Sequence, residues 1–252
     1  MLTSEMTEPI NPSALRRRLL LTLRVLIVLV VGKTIAATLA NWPSYFPPDF
    51  RSDFLLGREG YFFNGYHAAF YAHIIAGPLT LGLGLVLLSE GIRQRWPLWH
   101  RQLGKLQGLL VLFVVAPSGL WMAFYAATGP VAGAGLALLA VMTAVATALG
   151  WRSAVQRKFA KHRRWMQRSY VLLCSAIVIR MIGGAAQVAG VEGTYPYAVW
   201  ISWLAPLAAL ELWRISLLRI YPRRQSSASR AAPRDQHRGE LRTRGRLQTS
   251  LD

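Results

Sequence analysis

The chain has 252 residues, of which 53% are hydrophobic and only 16% are charged, and its mean hydropathy is +0.30. This composition excludes an ordinary soluble domain, because such a domain would carry more charge and shorter apolar runs. The formal net charge of +18 does not indicate nucleic-acid binding, because the Lys and Arg residues fall between apolar segments, as in membrane proteins oriented by positive charge.

Apolar segments along the chain predict an all-α polytopic bundle of about six transmembrane helices. Each segment is long enough to cross a hydrocarbon core about 30 Å thick, which takes ~20 helical residues. The predicted helices, within a transmembrane domain at residues 16–220, cover residues 19–41, 67–90, 97–128, 131–151, 161–190 and 195–218. Arginines precede the first helix as in a signal peptide, but its apolar run is too long for a cleaved one, so we expect it to be retained.

The two ends of the chain are polar. Residues 1–15 are predicted to be a disordered N-terminal tail, and residues 221–252 a disordered basic C-terminal tail with eight arginines. Near a membrane each arginine adds ~1 kcal/mol of attraction to anionic lipids, so these lipids are expected partners. The tail could also act as a topology and retention signal. Nucleic acid is not an expected partner, because no aromatic residue is interleaved with the arginines for base stacking.

Basic residues fall in alternate loops, and this predicts the orientation. Cytoplasmic loops of membrane proteins carry an excess of Lys and Arg. The loops assigned to the outside hold only Arg51 and Arg58, whereas the N-terminal flank and the other two loops are basic. Both termini are therefore expected in the cytoplasm, with the chain a multi-pass protein of a bacterial cytoplasmic (inner) membrane.

The first outer loop, residues 42–66, is dense in aromatic residues and prolines. Aromatic side chains concentrate at the interface between membrane and water. The loop is therefore predicted to form an interfacial belt or a lid on the outer surface.

Two histidines open predicted helices three and five, and each is followed by arginine: His100 in WHRQLGK and His162 in KHRRWMQR. At equal depth on two helices, they could be the iron ligands of haem b, with Arg101, Arg163 and Arg164 meeting its propionates. The same groups could equally hold a phosphate-bearing ligand or a lipid headgroup.

A second candidate site surrounds Arg180, which lies about 17 Å beyond Ser169 in predicted helix five, near the middle of the bilayer. A guanidinium in lipid needs a partner or a water-filled cavity. The candidate ligand-binding residues near it are His73, Tyr71 and His67, and the candidate acidic neighbours are Asp49, Asp53 and Glu59. Arg180 could bind a small anion or a quinone carbonyl. Alternatively, it is a structural arginine that bonds helix-end carbonyls.

Three motifs carry a family resemblance: HIIAGPLTLGLG from His73, HRQLGKLQG from His100, and HRRWMQRSYVLLCSAIVIR from His162 to Arg180. They resemble those of bacterial integral membrane proteins of domain-of-unknown-function family 2306. That family has no assigned activity, so the resemblance implies a multi-helix membrane protein with corresponding histidines. Its histidine-bearing helices look similar to those of diheme membrane cytochromes such as cytochrome b561. An outer haem would need a second histidine at the depth of His73, so we expect one haem at the cytoplasmic side or none.

The sequence contains no phosphate-binding loop, zinc-protease motif or nucleophile elbow. Three functions remain open. The first is a membrane redox protein, hence a membrane oxidoreductase if it is an enzyme, linked to haem b and a quinone. The second is a binder or transporter of a small anion or lipid. The third is a non-enzymatic membrane assembly factor.

Overall fold

Long helices make up most of the computed structural model, which describes residues 12–52 and 54–220. They are α1 Pro12–Ala40, α2 His67–Leu88, α3 Pro97–Phe124, α4 Pro130–Val155, α5 Phe159–Val188 and α6 Tyr195–Ile220. Within these described ranges no strand occurs, and six helices are long and apolar enough to cross a membrane. The predicted all-α polytopic bundle of about six helices is confirmed.

Irregular turns interrupt or precede three of these helices. α2 follows a single helical turn at Glu59–Tyr61 and a π-helical turn at Phe62–Tyr66. α3 contains a π-helical turn at Val111–Val115, and α5 is broken at Cys174. A short helix, Glu90–Arg95, connects α2 to α3. A π-helical turn accommodates an extra residue, so the second half of α3 presents a different face from the one that an unbroken helix would present.

Three helix ends differ clearly from the expected positions, one of them the end of α4 at Val155 rather than at residue 151. α1 begins at Pro12 rather than at residue 19, because proline suits the first helical position and the arginines that follow are good helix formers. α3 ends at Phe124 rather than at residue 128. Gly129 has a φ of +93°, and Pro130 disfavours helical backbone in the residue before it.

The chain divides into two compact units, Met1–Leu207 and Ala208–Asp252. In the second unit, the described part is the end of α6, where Nη1 of Arg214 lies 3.3 Å from Oε1 of Glu211. The predicted tails fall largely outside the described residues, which begin at residue 12 and end at residue 220.

In the first unit, glycines allow α4 to pack closely against α3 and α5. A Cβ atom on Gly108 of α3 would overlap the indole ring of Trp151 in α4. A Cβ atom on Gly150 of α4 would lie 2.6 Å from Sδ of Met166 in α5. Because small residues let helix backbones approach each other, α4 brings together the ends at which α3 and α5 begin.

The loops of the first unit fall at two ends of different chemistry, because short connections make successive helices antiparallel. The basic end comprises the loops at 89–96 and 156–158, which are rich in Arg and Lys. The aromatic end comprises the loops at 41–66, 125–129 and 189–194.

Residues 42–66 fold at the aromatic end into a packed structure, here the aromatic cap. Leu55, Phe62, Tyr66 and Phe70 are at most 1% exposed and form its core. Partly buried side chains of α2 and of the segment after α3 pack against this core, among them Tyr125. The packing fits a lid over the ends of α2 and α3 better than a loose interfacial belt.

A single arginine ties the aromatic cap together. Nε of Arg58 donates to the carbonyl oxygen of Phe54 at 2.6 Å, and Nη1 donates to the hydroxyl of Tyr61 at 3.1 Å. Nη1 also donates to the carbonyl oxygen of Tyr125 at 3.2 Å. The guanidinium carbon lies 4.9 Å from the ring centre of Phe54 and 5.5 Å from that of Tyr66. The charge of Arg58 is thus satisfied within the cap.

Candidate functional site

His162, near the start of α5, is held by the backbone of α4. Its Nδ1 lies 2.9 Å from the carbonyl oxygen of Gly150. A carbonyl oxygen can only accept, so Nδ1 carries the proton and Nε2 of the neutral ring is left with its lone pair. Metal-binding histidines are commonly oriented in this way, through a hydrogen bond from the other ring nitrogen to a carbonyl. The ring of His162 is therefore prepared to act as a ligand.

His100, near the start of α3, has a ring nitrogen without a partner. Its Nδ1 is buried and makes no hydrogen bond within the described part of the chain. Leaving a buried polar atom unsatisfied costs about 1–3 kcal/mol. His162 and Arg93 lie within electrostatic range of His100. The structure places the two histidines at the same end of the bundle, on helices that both pack against α4.

Open space lies beside His100 on the same face of α3. Gly104 follows four residues later, and residues at that spacing share a helix face. No heavy atom lies within 4 Å of the position that a Cβ atom on Gly104 would take. Farther along this face, Gln107, Gly108 and Val111 are buried. The space beside Gly104 is therefore next to the interior of the bundle.

Arginines follow both histidines in the chain at the basic end. Arg101, Arg163 and Arg164, which the sequence predicted as propionate partners, are all exposed. Guanidinium groups form strong, often bidentate hydrogen bonds with carboxylates. The arginines are therefore suited to the polar edge of a ligand, whereas the histidines lie deeper.

The donor set fits a haem better than a bare metal ion. Among residues 12–52 and 54–220, no group of three or more His, Cys, Asp or Glu residues could hold a metal ion. A haem iron needs only one or two axial ligands from the protein, because the macrocycle supplies the rest. The oriented ring of His162, the unpartnered nitrogen of His100, the space beside Gly104 and the exposed arginines fit that group.

His73, in the half of α2 nearer the aromatic end, is bound to α3. Its Nδ1 lies 3.0 Å from Oγ of Ser118, whose hydroxyl donates to the carbonyl oxygens of Val114 and Val115. The Ser118 oxygen is therefore the acceptor of the His73 proton, and Nε2 of His73 is left as an acceptor. A Cβ atom on Gly119 would lie 3.1 Å from Cε1 of His73, so the ring packs closely on the backbone of α3.

Arg180 is exposed on α5. Its Nη1 donates to the carbonyl oxygen of Ala176, one turn earlier, at 2.9 Å. At ~1.5 Å per residue it lies about 12 Å from Val188, in the half of α5 nearer the aromatic end. Arg180 acts electrostatically on His73 and on Tyr195 at the start of α6. Groups on α2 and α6 thus lie within electrostatic range of Arg180, whose hydrogen bond is to its own helix.

Within the described residues, none of the predicted acidic neighbours pairs with Arg180. Oδ1 of Asp49 accepts a hydrogen bond from the backbone N–H of Arg51 at 2.9 Å. Glu59 is exposed in the aromatic cap, and Asp53 lies outside the described residues. The hydrogen bond from Arg180 to the carbonyl oxygen of Ala176 agrees with the alternative of a structural arginine. No described carboxylate, however, balances the positive charge of Arg180.

Two other residues predicted to bind a ligand near Arg180 make their contacts with the aromatic cap. The hydroxyl of Tyr71 donates to the carbonyl oxygen of Tyr45 at 2.8 Å, and its ring stacks on Phe46 with centres 4.5 Å apart. Nδ1 of His67 lies 3.2 Å from the carbonyl oxygen of Phe62. These contacts assign both residues a role in holding the cap on α2.

Sequence reasoning missed three residues that shape these sites: Ser118, Tyr195 and Gly104. Serine, tyrosine and glycine are ordinary residues of transmembrane helices, and no motif marks Ser118 or Tyr195. A signal did exist for Gly104, because a glycine one turn after a candidate ligand histidine leaves room on the same helix face.

Comparison with known proteins bears on the membrane-spanning core. A family model described as "Predicted membrane protein (DUF2306)" matches residues 70–214. The match includes His73, His100, His162 and Arg180 and omits the aromatic cap. No curated protein and no solved structure matches the chain.

Proposed function

Because the chain belongs to domain-of-unknown-function family 2306, a family of predicted membrane proteins, we propose a function within the lipid bilayer. The protein is proposed to be a membrane redox protein that holds one b-type haem between His100 and His162. A bound haem would supply one-electron transfer, and a quinone in the lipid phase is the proposed electron partner. The observation that carries the proposal is the unpartnered, buried Nδ1 of His100, at the same end of the bundle as an oriented His162.

The residues of the chain have distinct tasks in this proposal. His162 donates its Nδ1 proton to Gly150, which fixes the tautomer and makes Nε2 a better ligand. His100 contributes a nitrogen whose burial is costly unless something binds it. Gly104 leaves space for a flat group close to the backbone of α3.

The position of the pair near the helix starts also agrees with this proposal. A haem has an apolar ring and two propionates, so it suits a boundary between lipid and water. Arg101 and Arg163 follow the two histidines directly in the chain and are exposed. They would neutralise the propionates through charge-assisted hydrogen bonds.

The test is a reduced-minus-oxidised visible spectrum of the full chain, purified in detergent from cells supplied with a haem precursor. We expect the band of a six-coordinate b-type haem at about one haem per chain. His100→Ala and His162→Ala should each remove that band. His67→Ala is the matched control, because the ring of His67 is also bonded to a carbonyl oxygen but belongs to the aromatic cap.

Two results would overturn the proposal. One is a flat spectrum from protein that is folded by circular dichroism. The other is loss of the band in only one of the two variants, which would exclude ligation by both histidines.

A further inference from the structure

We propose that a groove between α2 and α3 binds a quinol, the reduced form of a membrane quinone, through backbone carbonyls that Pro117 leaves without a helical donor. The inference rests on the proposed function for the identity of the ligand, because it assigns the quinone partner a place on the chain. The groove itself lies apart from the histidines at the basic end, so its ligand can be tested without haem.

The groove has a volume of about 450 Å³ and lies between the start of α2 and the second half of α3. The wall formed by α2 and the turn before it consists only of glycine and alanine, among them Gly65 and Ala68. The opposite wall carries the rings of Phe113 and Trp121, both exposed. Since no lining residue is charged, the groove favours a neutral ligand. A flat wall facing two aromatic rings suits an aromatic ring.

The π-helical turn in α3 and the proline that follows it remove the donors of one carbonyl group. In an α-helix the carbonyl oxygen of Leu112 would accept from the N–H of Ala116, but that N–H donates to Val111. In a π-helix it would accept from residue 117, which is proline and has no N–H. The carbonyl oxygen of Leu112 thus has neither helical donor. That of Phe113 loses its α-helical donor for the same reason.

No side chain in this part of α3 replaces the missing donor. The only hydroxyl between residues 111 and 124 belongs to Ser118, and it donates to the carbonyl oxygens of Val114 and Val115. Helix carbonyls point along the axis toward the next turn, so those of Leu112 and Phe113 point toward Pro117, which lines the groove. Leu112 lies about 18 Å before the end of α3, at a depth where water does not reach and an unpaired carbonyl is costly.

These acceptors select the reduced form of the ligand. A quinol hydroxyl can donate to a carbonyl oxygen, and it can also accept from the indole N–H of Trp121. An oxidised quinone has only acceptor oxygens and would leave the backbone carbonyls unpaired. A quinol is also neutral and soluble in lipid, as an uncharged groove with exposed walls requires. Gly104, where the haem is proposed, is about 12 Å from Leu112 along α3.

The experiment measures the binding of decylhydroquinone to the full chain in phosphatidylcholine nanodiscs without oxygen, with empty nanodiscs as background. The dimethyl ether of the same compound keeps the ring and the tail but cannot donate. We expect the hydroquinone to bind about ten-fold more tightly than the ether, as one hydrogen bond allows. Pro117→Ala supplies an N–H within the helix, so it should remove most of that preference and leave the unfolding midpoint unchanged or higher.

Pro206→Ala is the matched control. Pro206 is also a proline inside a membrane-spanning helix, but it does not line the groove, so its replacement should leave the preference intact. Ala68→Leu fills the groove without changing the backbone and should weaken the binding of both probes about ten-fold. Ala148→Leu, on the exposed face of α4, should weaken neither. Should Pro117→Ala fail to fold, this second pair of variants still tests the groove.

Three results would overturn the proposal. An undiminished preference in Pro117→Ala would mean that the carbonyls are not the binding groups. Equal binding to empty nanodiscs, or unchanged binding in Ala68→Leu, would mean that the groove holds only bulk lipid. Equally strong competition by diacylglycerol, which has a hydroxyl but no ring, would mean that the site does not select a quinol.

His162→Ala separates this proposal from the haem proposal. The variant should lose the haem band and still bind decylhydroquinone in preference to its ether. A chain with that preference but no haem band in the wild type would retain the groove site and reject the haem. A haem band without the preference would reject the groove site alone.

Discussion

The described histidines differ in whether the Nδ1 atom of the ring has a hydrogen-bond partner. Nδ1 of His67, His73 and His162 each lies against a carbonyl or hydroxyl oxygen, so each of these rings has a fixed tautomer. Among the described histidines, only His100 has a buried nitrogen without a partner. Three other buried side-chain atoms among the described residues also lack a partner, namely Nε1 of Trp42, Oε1 of Gln107 and Nε1 of Trp203. A buried unsatisfied atom calls for an explanation, such as a bound ligand. The haem proposal supplies one at the position where the sequence predicted a ligand.

The space beside Gly104 provides a residue-level test that leaves both histidines intact. Gly104→Leu should fill that space and lower the haem content at least about ten-fold, a loss of at least ~1.4 kcal/mol in binding. The fold should be retained, because leucine has a better helix propensity than glycine by roughly 0.8 kcal/mol. The measurements are the haem-to-chain ratio and the thermal unfolding midpoint.

Gly183→Leu is the matched control for this substitution. Gly183 also has no heavy atom within 4 Å of a built Cβ, but it lies near the opposite end of α5. It should bind as much haem as the wild type. An unchanged haem content in Gly104→Leu would mean that the space beside His100 is not where the ring sits.

At the scale of elements, the contact between α3 and α4 depends on Gly108, because the space beside it is too small for a side chain. Gly108→Ala would place a methyl group where the ring of Trp151, a residue of α4, lies. Overpacking of this kind typically costs 1–3 kcal/mol. We expect a lower unfolding midpoint in detergent and a weaker haem band, because α3 would move away from the helix that positions His162.

Gly104→Ala provides the comparison for this prediction. It adds the same methyl group one turn away on α3, into open space. It should leave stability equal or slightly raised, since alanine is favoured over glycine in helices by about 1 kcal/mol. If both alanine variants behaved alike, the close contact between Gly108 and Trp151 would not be limiting.

The helices were predictable from the sequence because apolar length alone identifies a membrane span. That His100 and His162 lie at the same end of the bundle was predictable for a related reason, since both residues follow their helix starts by the same number of residues. The break at Cys174 was not predictable, because no proline or glycine marks it. Nor were the contacts within the aromatic cap, which join Arg58 to Tyr125 across residues far apart in the sequence.

At Arg180 too, the sequence predicted one feature and not another. Its charge within an apolar segment identified it, but the choice among possible neighbours depended on packing. Tyr71 and His67 were reasonable candidates by depth, yet their hydrogen bonds hold the aromatic cap. Tyr195 lies within electrostatic range of Arg180 instead, on a helix whose rotation the sequence does not specify. Periodicity fixes how deep a residue lies, whereas contacts between helices decide which residues meet.

At the scale of the whole molecule, the basic and aromatic ends predict which way the chain crosses the membrane. Loops rich in Arg and Lys stay on the cytoplasmic side, so the histidine pair should face the cytoplasm and Arg180 the opposite side.

Single cysteines at exposed loop positions test this, in a Cys174→Ala background that removes the native thiol. Glu192→Cys lies at the aromatic end and Gln156→Cys at the basic end. A membrane-impermeant maleimide should label only Glu192→Cys in spheroplasts and should label both after permeabilisation. The reverse pattern would invert the orientation. Labelling of both positions before permeabilisation, with a cytoplasmic marker still protected, would contradict a single orientation.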